Sequence, residues 1–121
     1  MRYDVVIIGA GAAGFGCALT LGSANDKFDW AKDKKYLILD DNKSDLNVGK
    51  YFNVAGVDSG INGVDLLLKM KKQLEIYKDV ELKDEKATKI ENLGEYFKIT
   101  TENSTFEASI IVLATGLHKF D

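Results

Sequence analysis

The residues of this chain best placed to do chemistry are glycines. Gly9, Gly11 and Gly14 stand at the spacing Gly-x-Gly-x-x-Gly, with Ala10, Ala12 and Ala13 between them. The apolar run from Val5 to Ile8 leads in, and Phe15, Cys17, Ala18 and Leu19 follow. Between a buried strand and a helix, such a turn acts through backbone rather than side chains. The first glycine makes the tight turn, the second lets backbone approach a pyrophosphate, and the third lets helix and strand pack closely. First-turn N–H groups and the positive end of the helix dipole then face the anion, the dipole alone contributing about 0.3–2 kcal/mol. The other reading is a glycine turn kept for packing alone. An acid at the tip of the next strand would extend the pattern, because a carboxylate accepts hydrogen bonds from ribose hydroxyls. Residues 36–39, Tyr-Leu-Ile-Leu, are that strand, and Asp40 and Asp41 end it. Asp40 directly follows the last apolar residue and is the expected ribose acceptor, with Asp41 beside it. It follows Gly14 by 26 positions, against roughly 20 in the usual pattern, and the polar stretch 23–35 absorbs the excess. Alternatively, Asp40 only caps the strand end. A carboxylate here repels a 2′-phosphate, so NADP is the ligand least suited to the site.

Conventional catalytic groups are sparse. Cys17 is the one cysteine, which excludes an internal disulfide, a Cys-x-x-Cys redox pair and a cysteine-based metal cluster. It is read as a buried packing residue. His118 is the one histidine and has no second histidine to join in a triad or metal site. No metal site is expected, and no catalytic residue is assigned. Any chemistry must come from a cofactor, with the protein supplying position and electrostatics. Sixteen basic and 19 acidic residues give a net charge of −3. Without a basic block, nothing calls for nucleic acid or an anionic membrane. No apolar run approaches the roughly 18 residues of a membrane span, and the N-terminus lacks a cleavable signal pattern. The expected location is the cytoplasm.

The elements that must position these residues follow from periodicity. The first helix is expected over residues 12–21, with Gly22 as its stop, then a solvated loop 23–35 anchored by Phe28 and Trp30. Residues 42–60 form a long polar connection with an apolar kernel at Tyr51, Phe52, Val54 and Val57. A second helix over 61–77 presents Val64, Leu67, Met70, Leu74 and Tyr77 to the sheet and leaves Lys69, Lys71, Lys72 and Lys78 solvated. Residues 80–82 are a third parallel strand. Segments 87–91, 96–101 and 104–108 read as an antiparallel meander, with Phe97 and Ile99 on one face. Residues 110–114 are then a separate, fully apolar strand returning beside the first, closing on Thr115 and Gly116. The fold class is α/β, a Rossmann-like βαβαβ parallel sheet carrying a three-stranded meander, as one domain over 1–121.

This order of parts resembles the FAD-binding domain of pyridine nucleotide-disulfide oxidoreductases, most closely thioredoxin-reductase-like flavoproteins. Asn53-Val54-Ala55-Gly56, followed by Gly60-Ile61-Asn62-Gly63-Val64-Asp65-Leu66, is similar to the Asn-Trp-Pro-Gly and Gly-x-x-Gly-x-x-Leu region before that family's second helix. Ala13 and Ala55 stand where the family often has proline, which this chain lacks entirely. The resemblance covers residues 3–118. It implies FAD as cofactor, with Gly9, Gly11, Ala12, Ala13 and Gly14 at the pyrophosphate and Asp40 or Asp41 at the adenosine ribose. It implies that backbone at Lys86 and Ala87 meets the adenine, and that Ala114, Thr115 and Gly116 close over the phosphate and ribityl side. Ser44, Asn47 and Asn53 would lie toward the ribityl chain and flavin.

In that family the chain passes from Ala-Thr-Gly into a nicotinamide domain, which in thioredoxin reductases also carries Cys-x-x-Cys. It then returns to complete the flavin site with a Gly-Asp motif. The 121 residues hold no second glycine fingerprint, cysteine pair or Gly-Asp segment, so electron transfer from NADPH to a disulfide is not carried over. The expectation is a FAD-binding module working with a second chain or as an oligomer. The alternatives are a non-enzymatic subunit binding ADP or NAD, and a fragment without function, which would expose apolar surface at 110–113.

Overall fold

The computed structural model describes residues 2–116. Its elements are, in chain order, β1 (Arg2–Ile8), α1 (Ala12–Lys27), β2 (Tyr36–Leu39), β3 (Lys50–Tyr51), β4 (Ile61–Asn62), α2 (Gly63–Leu74), β5 (Val80–Lys83), β6 (Ala87–Asn92), β7 (Phe97–Thr101) and β8 (Thr105–Leu113). Single 3-10 turns occupy Asp29–Ala31 and Asp45–Asn47. One sheet runs β5-β2-β1-β8-β7-β6, and β3 and β4 form a separate antiparallel pair. The strands β5, β2, β1 and β8 pair parallel, whereas β8, β7 and β6 pair antiparallel. This is the α/β class with a Rossmann-like parallel sheet and a meander.

The continuous apolar runs of β1 and β2 are explained by two cores, one on each face. Val5, Ile7 and Ile38 pack with Phe15 and Ala18 of α1 and with Leu67 and Leu74 of α2. Val6, Ile8, Leu37 and Leu39 pack with Ala87, Ile99 and Ala108, so the meander folds back over the face opposite the helices. A strand covered on both faces has no polar position to spare. Phe97 joins the edge of the same core as Ile99.

The third meander strand and the apolar strand 110–114 are one continuous element, β8, not two. Side-chain alternation slips by one position at Ser109: Ala108 and Ile111 belong to the same core although three residues apart. Tyr3 and Val6 show the same slip across Asp4 on the paired strand. Both partners shift together, so the ladder survives while the sheet changes layer.

Helix α1 is six residues longer than its composition suggests, running through Gly22 to Lys27. Gly22 does not stop the helix; a Cβ there would lie 2.8 Å from Tyr77 and 3.1 Å from Val80, so it is where α1 crosses the approach to β5. Beyond it, buried Asn25 donates to the Lys34 carbonyl and the Asp79 carboxylate, each at 2.9 Å, and accepts from the Tyr36 hydroxyl at 2.8 Å. Hydrogen bonds from Lys35 and Asn25 hold the Asp79 carboxyl below its ordinary pKa. Phe28 and Trp30 anchor nothing. They stack on each other at 5.6 Å between ring centroids, and Trp30 is 72% exposed.

Helix α2 begins at Gly63, with the Asn62 side chain accepting from the Asp65 N–H at 2.9 Å. Its buried face is Leu66, Leu67 and Leu74, while Val64 is exposed. Lys71 is not simply solvated: its ammonium lies 3.4 Å from the Asp40 carboxylate. A Cβ on Gly63 would fall 1.3 Å from the Leu46 carbonyl oxygen, and the Gly63 N–H donates to Gly49 at 3.1 Å. That close approach seats residues 44–51 on the start of α2.

Candidate functional site

The parallel strands β5, β2, β1 and β8 all end on one side, and the connections leaving them line a cleft of about 740 Å³. Its walls are the glycine turn after β1, residues 41–46 after β2, residues 85–88 after β5 and residues 113–116 at the end of β8. Chain order reverses between β1 and β8, since β1 proceeds to β2 on one side and meets β8 on the other. A crevice at such a reversal is where ligands of open α/β sheets bind. No helix among the described residues is long and apolar enough to cross a membrane.

The glycine turn is built by close backbone approach. Gly9 has φ +109°, and a Cβ there would lie 2.1 Å from the Ala114 carbonyl oxygen. Its N–H donates to Leu39 at 3.0 Å, while the Ala114 N–H donates to Ile8 at 2.8 Å, so the tip of β1 is stitched to both neighbours. Gly14 does not line the cleft; a Cβ on it would sit 1.9 Å from the Gly9 oxygen, which makes it the packing glycine between helix and turn. Gly11 is the N-cap of α1 and offers no side-chain cap, and the first turn holds no acid. Its first-turn N–H groups are therefore left to an anion. Gly11, Ala12 and Ala13 line the cleft at that point. Bare backbone donors, small side chains and a glycine turn that a Cβ would block fit a pyrophosphate.

The candidate residues divide between two cavities. Asp41, Ser44, Ala87, Ala114, Thr115 and Gly116 join Gly9, Gly11, Ala12 and Ala13 around the cleft. Asp40 and Asn47 instead border a separate cavity of about 90 Å³ on the α2 side of the glycine turn, which Ser44 borders as well. Asn53 is exposed and borders neither. Asp40 is 5% exposed; one carboxylate oxygen accepts from the Asn42 N–H at 2.8 Å, and the other faces Lys71. Asp41 accepts from the Lys43 N–H at 3.0 Å while lining the cleft. His118 lies outside the described residues.

Several cleft residues carried no sequence signal of their own. Lys43, Asp45, Glu85 and Thr88 come in with the loops that leave β2 and β5. Glu85 is fixed by the Thr101 hydroxyl, which donates to it at 2.6 Å. Tyr51, read from sequence only as part of an apolar kernel, lines the cleft and closes its loop by donating to the Val48 carbonyl at 2.7 Å. Position in loops at strand C-termini was the one clue to all of them. Cys17 is partly rather than fully buried and packs against the helix-side core, and burial pushes its thiol up from the ordinary value.

Residues 3–121 match the model of a family described as pyridine nucleotide-disulphide oxidoreductase. The chain belongs to that family. It is 31% identical over 114 residues to a thioredoxin reductase of Treponema pallidum (strain Nichols), covering 94% of this chain and 35% of that protein. Among solved structures, a thioredoxin reductase from Gloeobacter violaceus superposes with a TM-score of 0.83 at 27% identity, over 99% of this chain and 39% of its own. Lactococcus lactis thioredoxin reductase superposes at 0.80 with 33% identity, over 98% of this chain and 37% of its own. This chain thus spans between a third and two-fifths of the length of these relatives. FAD binding is general to the family. The glycine turn, the uncapped helix start and the cleft-lining Asp41 are the groups that would face the adenosine and pyrophosphate of such a cofactor. FAD, when bound, supplies two-electron redox chemistry. The cleft residues would contribute its binding and orientation.

Proposed function

We propose that this chain is a FAD-binding module of thioredoxin-reductase-like type, folding as one domain over residues 1–121. Further polypeptide then covers β8 and completes the flavin end. The observation that carries this reading is the conjunction of an uncapped α1 start, the Gly9 turn and the end of β8 around one cleft at the sheet's reversal point. The need for a second surface rests on β8, whose Ile110 and Leu113 are 57% and 61% exposed. One free cysteine suits a reducing, cytoplasmic setting.

Titration of the purified protein with FAD is expected to quench and shift the flavin absorbance. Unchanged spectra at high micromolar FAD would refute the proposal. A second reading has specific support, because Asn47 and Asn53, two of the three residues assigned to the flavin side, lie outside the cleft that Ser44 lines. On that reading the protein takes ADP or NAD through the adenosine half alone and acts as a non-enzymatic subunit. Equal affinity for ADP and FAD would favour it; substantially tighter FAD favours the flavin module.

A further inference from the structure

The sheet order β5-β2-β1-β8 sets the order of the cleft walls: residues 85–88 over β5, 41–46 over β2, the glycine turn over β1 and 113–116 over β8. A dinucleotide with its pyrophosphate on the turn and its adenine at 85–88 carries its second half toward the end of β8. The polar residues of the loop between β2 and α2 do not meet it there. Ser44 lies against the glycine turn, its hydroxyl 2.9 Å from where a Cβ on Gly11 would stand, and Asn47 and Asn53 lie outside the cleft. Among the described residues, Tyr51 is the one aromatic side chain that lines it. Asp45 fixes the place of that ring: its carbonyl is 3.4 Å from the Tyr51 hydroxyl, and its carboxylate is 3.5 Å from where a Cβ on Gly116 would stand. Tyr51 therefore stands at the β8 end, where Leu46 and Leu113 also line the cleft. The ring is held from several sides. Its hydroxyl donates to the Val48 carbonyl at 2.7 Å, its own carbonyl accepts from the Gly60 N–H at 2.8 Å, and β3 pairs it with Ile61. Strand alternation turns its neighbours the other way. Phe52 is 72% exposed, with its ring 3.3 Å from where a Cβ on Gly60 would stand.

We propose that the second ring system of the dinucleotide rests on the face of Tyr51, and that this contact selects FAD over ligands that end at a second sugar. The inference rests on the cofactor reading above and names the residue that makes its far end selective. A flat heterocycle gains from stacking on an aromatic face, whereas a sugar or phosphate has no comparable surface to offer. Because the Tyr51 hydroxyl is already committed to Val48, the ring face is what remains for the ligand. A ring fixed in advance also loses little rotamer freedom when the ligand arrives.

The test is calorimetric titration with FAD and with ADP-ribose, which shares the adenosine and pyrophosphate but has no second ring. The wild-type protein is expected to bind FAD roughly 5- to 100-fold more tightly, the range for a flat ring on an aromatic side chain. Tyr51→Leu should remove most of that preference while moving ADP-ribose affinity by no more than about twofold, as for a site apart from the shared half. Tyr51→Phe, which keeps the ring and loses the Val48 bond, should retain most of the preference, and Phe52→Leu all of it. Thermal unfolding checks that each variant folds. Should Tyr51→Leu not fold, the wild-type protein still decides: in NMR of ring-labelled tyrosine, with Tyr51 assigned by its loss in Tyr51→Phe, FAD should shift the Tyr51 signal and ADP-ribose should not. The proposal is overturned by a wild-type preference below about fivefold, by a folded Tyr51→Leu that keeps the preference, by its loss in Phe52→Leu, or by a Tyr51 signal that FAD leaves unmoved. In each of those cases binding of ADP-ribose would leave the adenosine half of the reading intact. Binding of neither ligand instead defeats the cofactor reading, and this inference with it.

Discussion

Near the start of β1, the Tyr3 hydroxyl donates to the Glu81 carboxylate on β5, spanning the intervening strand β2 on the meander face. Burial first, then the hydrogen bond and charge of Glu81, push the Tyr3 phenol up to about 12. An unfolded tyrosine titrates near ~10, so the folded state holds this proton more tightly. The resulting stabilisation is whole below pH ~10 and is lost as pH rises through 12. Tyr3→Phe is therefore expected to flatten the alkaline limb between those values in denaturant titrations run across pH. An unaltered limb would mean that Tyr3 does not report this linkage. The same scale decides how far the cofactor site was legible. The glycine spacing announced the turn because the packing of Gly14 on Gly9, five residues away, is local, whereas the approaches of Gly9 to Ala114 and of Gly11 to Ser44 are not. The choice between Asp40 and Asp41 was not legible, because Lys71, 31 positions beyond Asp40, and the left-handed Asn42 decide which carboxylate turns inward. No adjacent-residue pattern encodes either.

At the level of elements, hydrophobic pattern located β1, β2, β5 and α2 to within a few residues, since each buries a face whose period the sequence carries. It misjudged α1 because glycine has two uses. Gly22 looks like a helix stop in composition, but its role is set by Tyr77 and Val80, which need the space a side chain would take. Gly22→Ala thus separates propensity from packing. Helix propensity alone would stabilise by about 0.8–1 kcal/mol, whereas forcing a Cβ to 2.8 Å from the Tyr77 ring costs about 1–3 kcal/mol in an unyielding core. Net destabilisation of up to about 2 kcal/mol is expected in urea unfolding. A variant more stable than wild type would show that Tyr77 gives way and that the crossing is loose. The meander and apolar strand were likewise separated in the sequence reading because Ser109 interrupts an alternation. The ladder to β1 carries through that interruption because Asp4 slips in step. A coordinated slip of two paired strands has no signature in either strand alone.

Across the whole molecule, the central strand β8 is incompletely enclosed. Its antiparallel register with β7 reaches from Thr105 to Ala108, while β1 continues alongside it to Leu113. Beyond Ala108 the described sheet therefore pairs β8 on one edge only. Ile110 lies opposite Val5 and faces the helix layer, whereas Leu113 lies opposite Ile8 and faces the meander layer. Both are more than half exposed. An open edge with apolar side chains on both faces is a template for another strand. Exposed apolar surface at this place suits both a module that receives further polypeptide and a fragment that merely aggregates, and ordered pairing separates the two. If β8 is a receiving edge, sedimentation at rising concentration should give a discrete dimer, with slowed amide exchange confined to residues 109–113. Ile110→Lys together with Leu113→Glu should abolish that dimer and shift stability by no more than about 0.5 kcal/mol, as for surface changes. A monomer at high micromolar concentration would remove the case for a strand-accepting edge. Association without a limiting mass or local protection would instead identify an uncovered core.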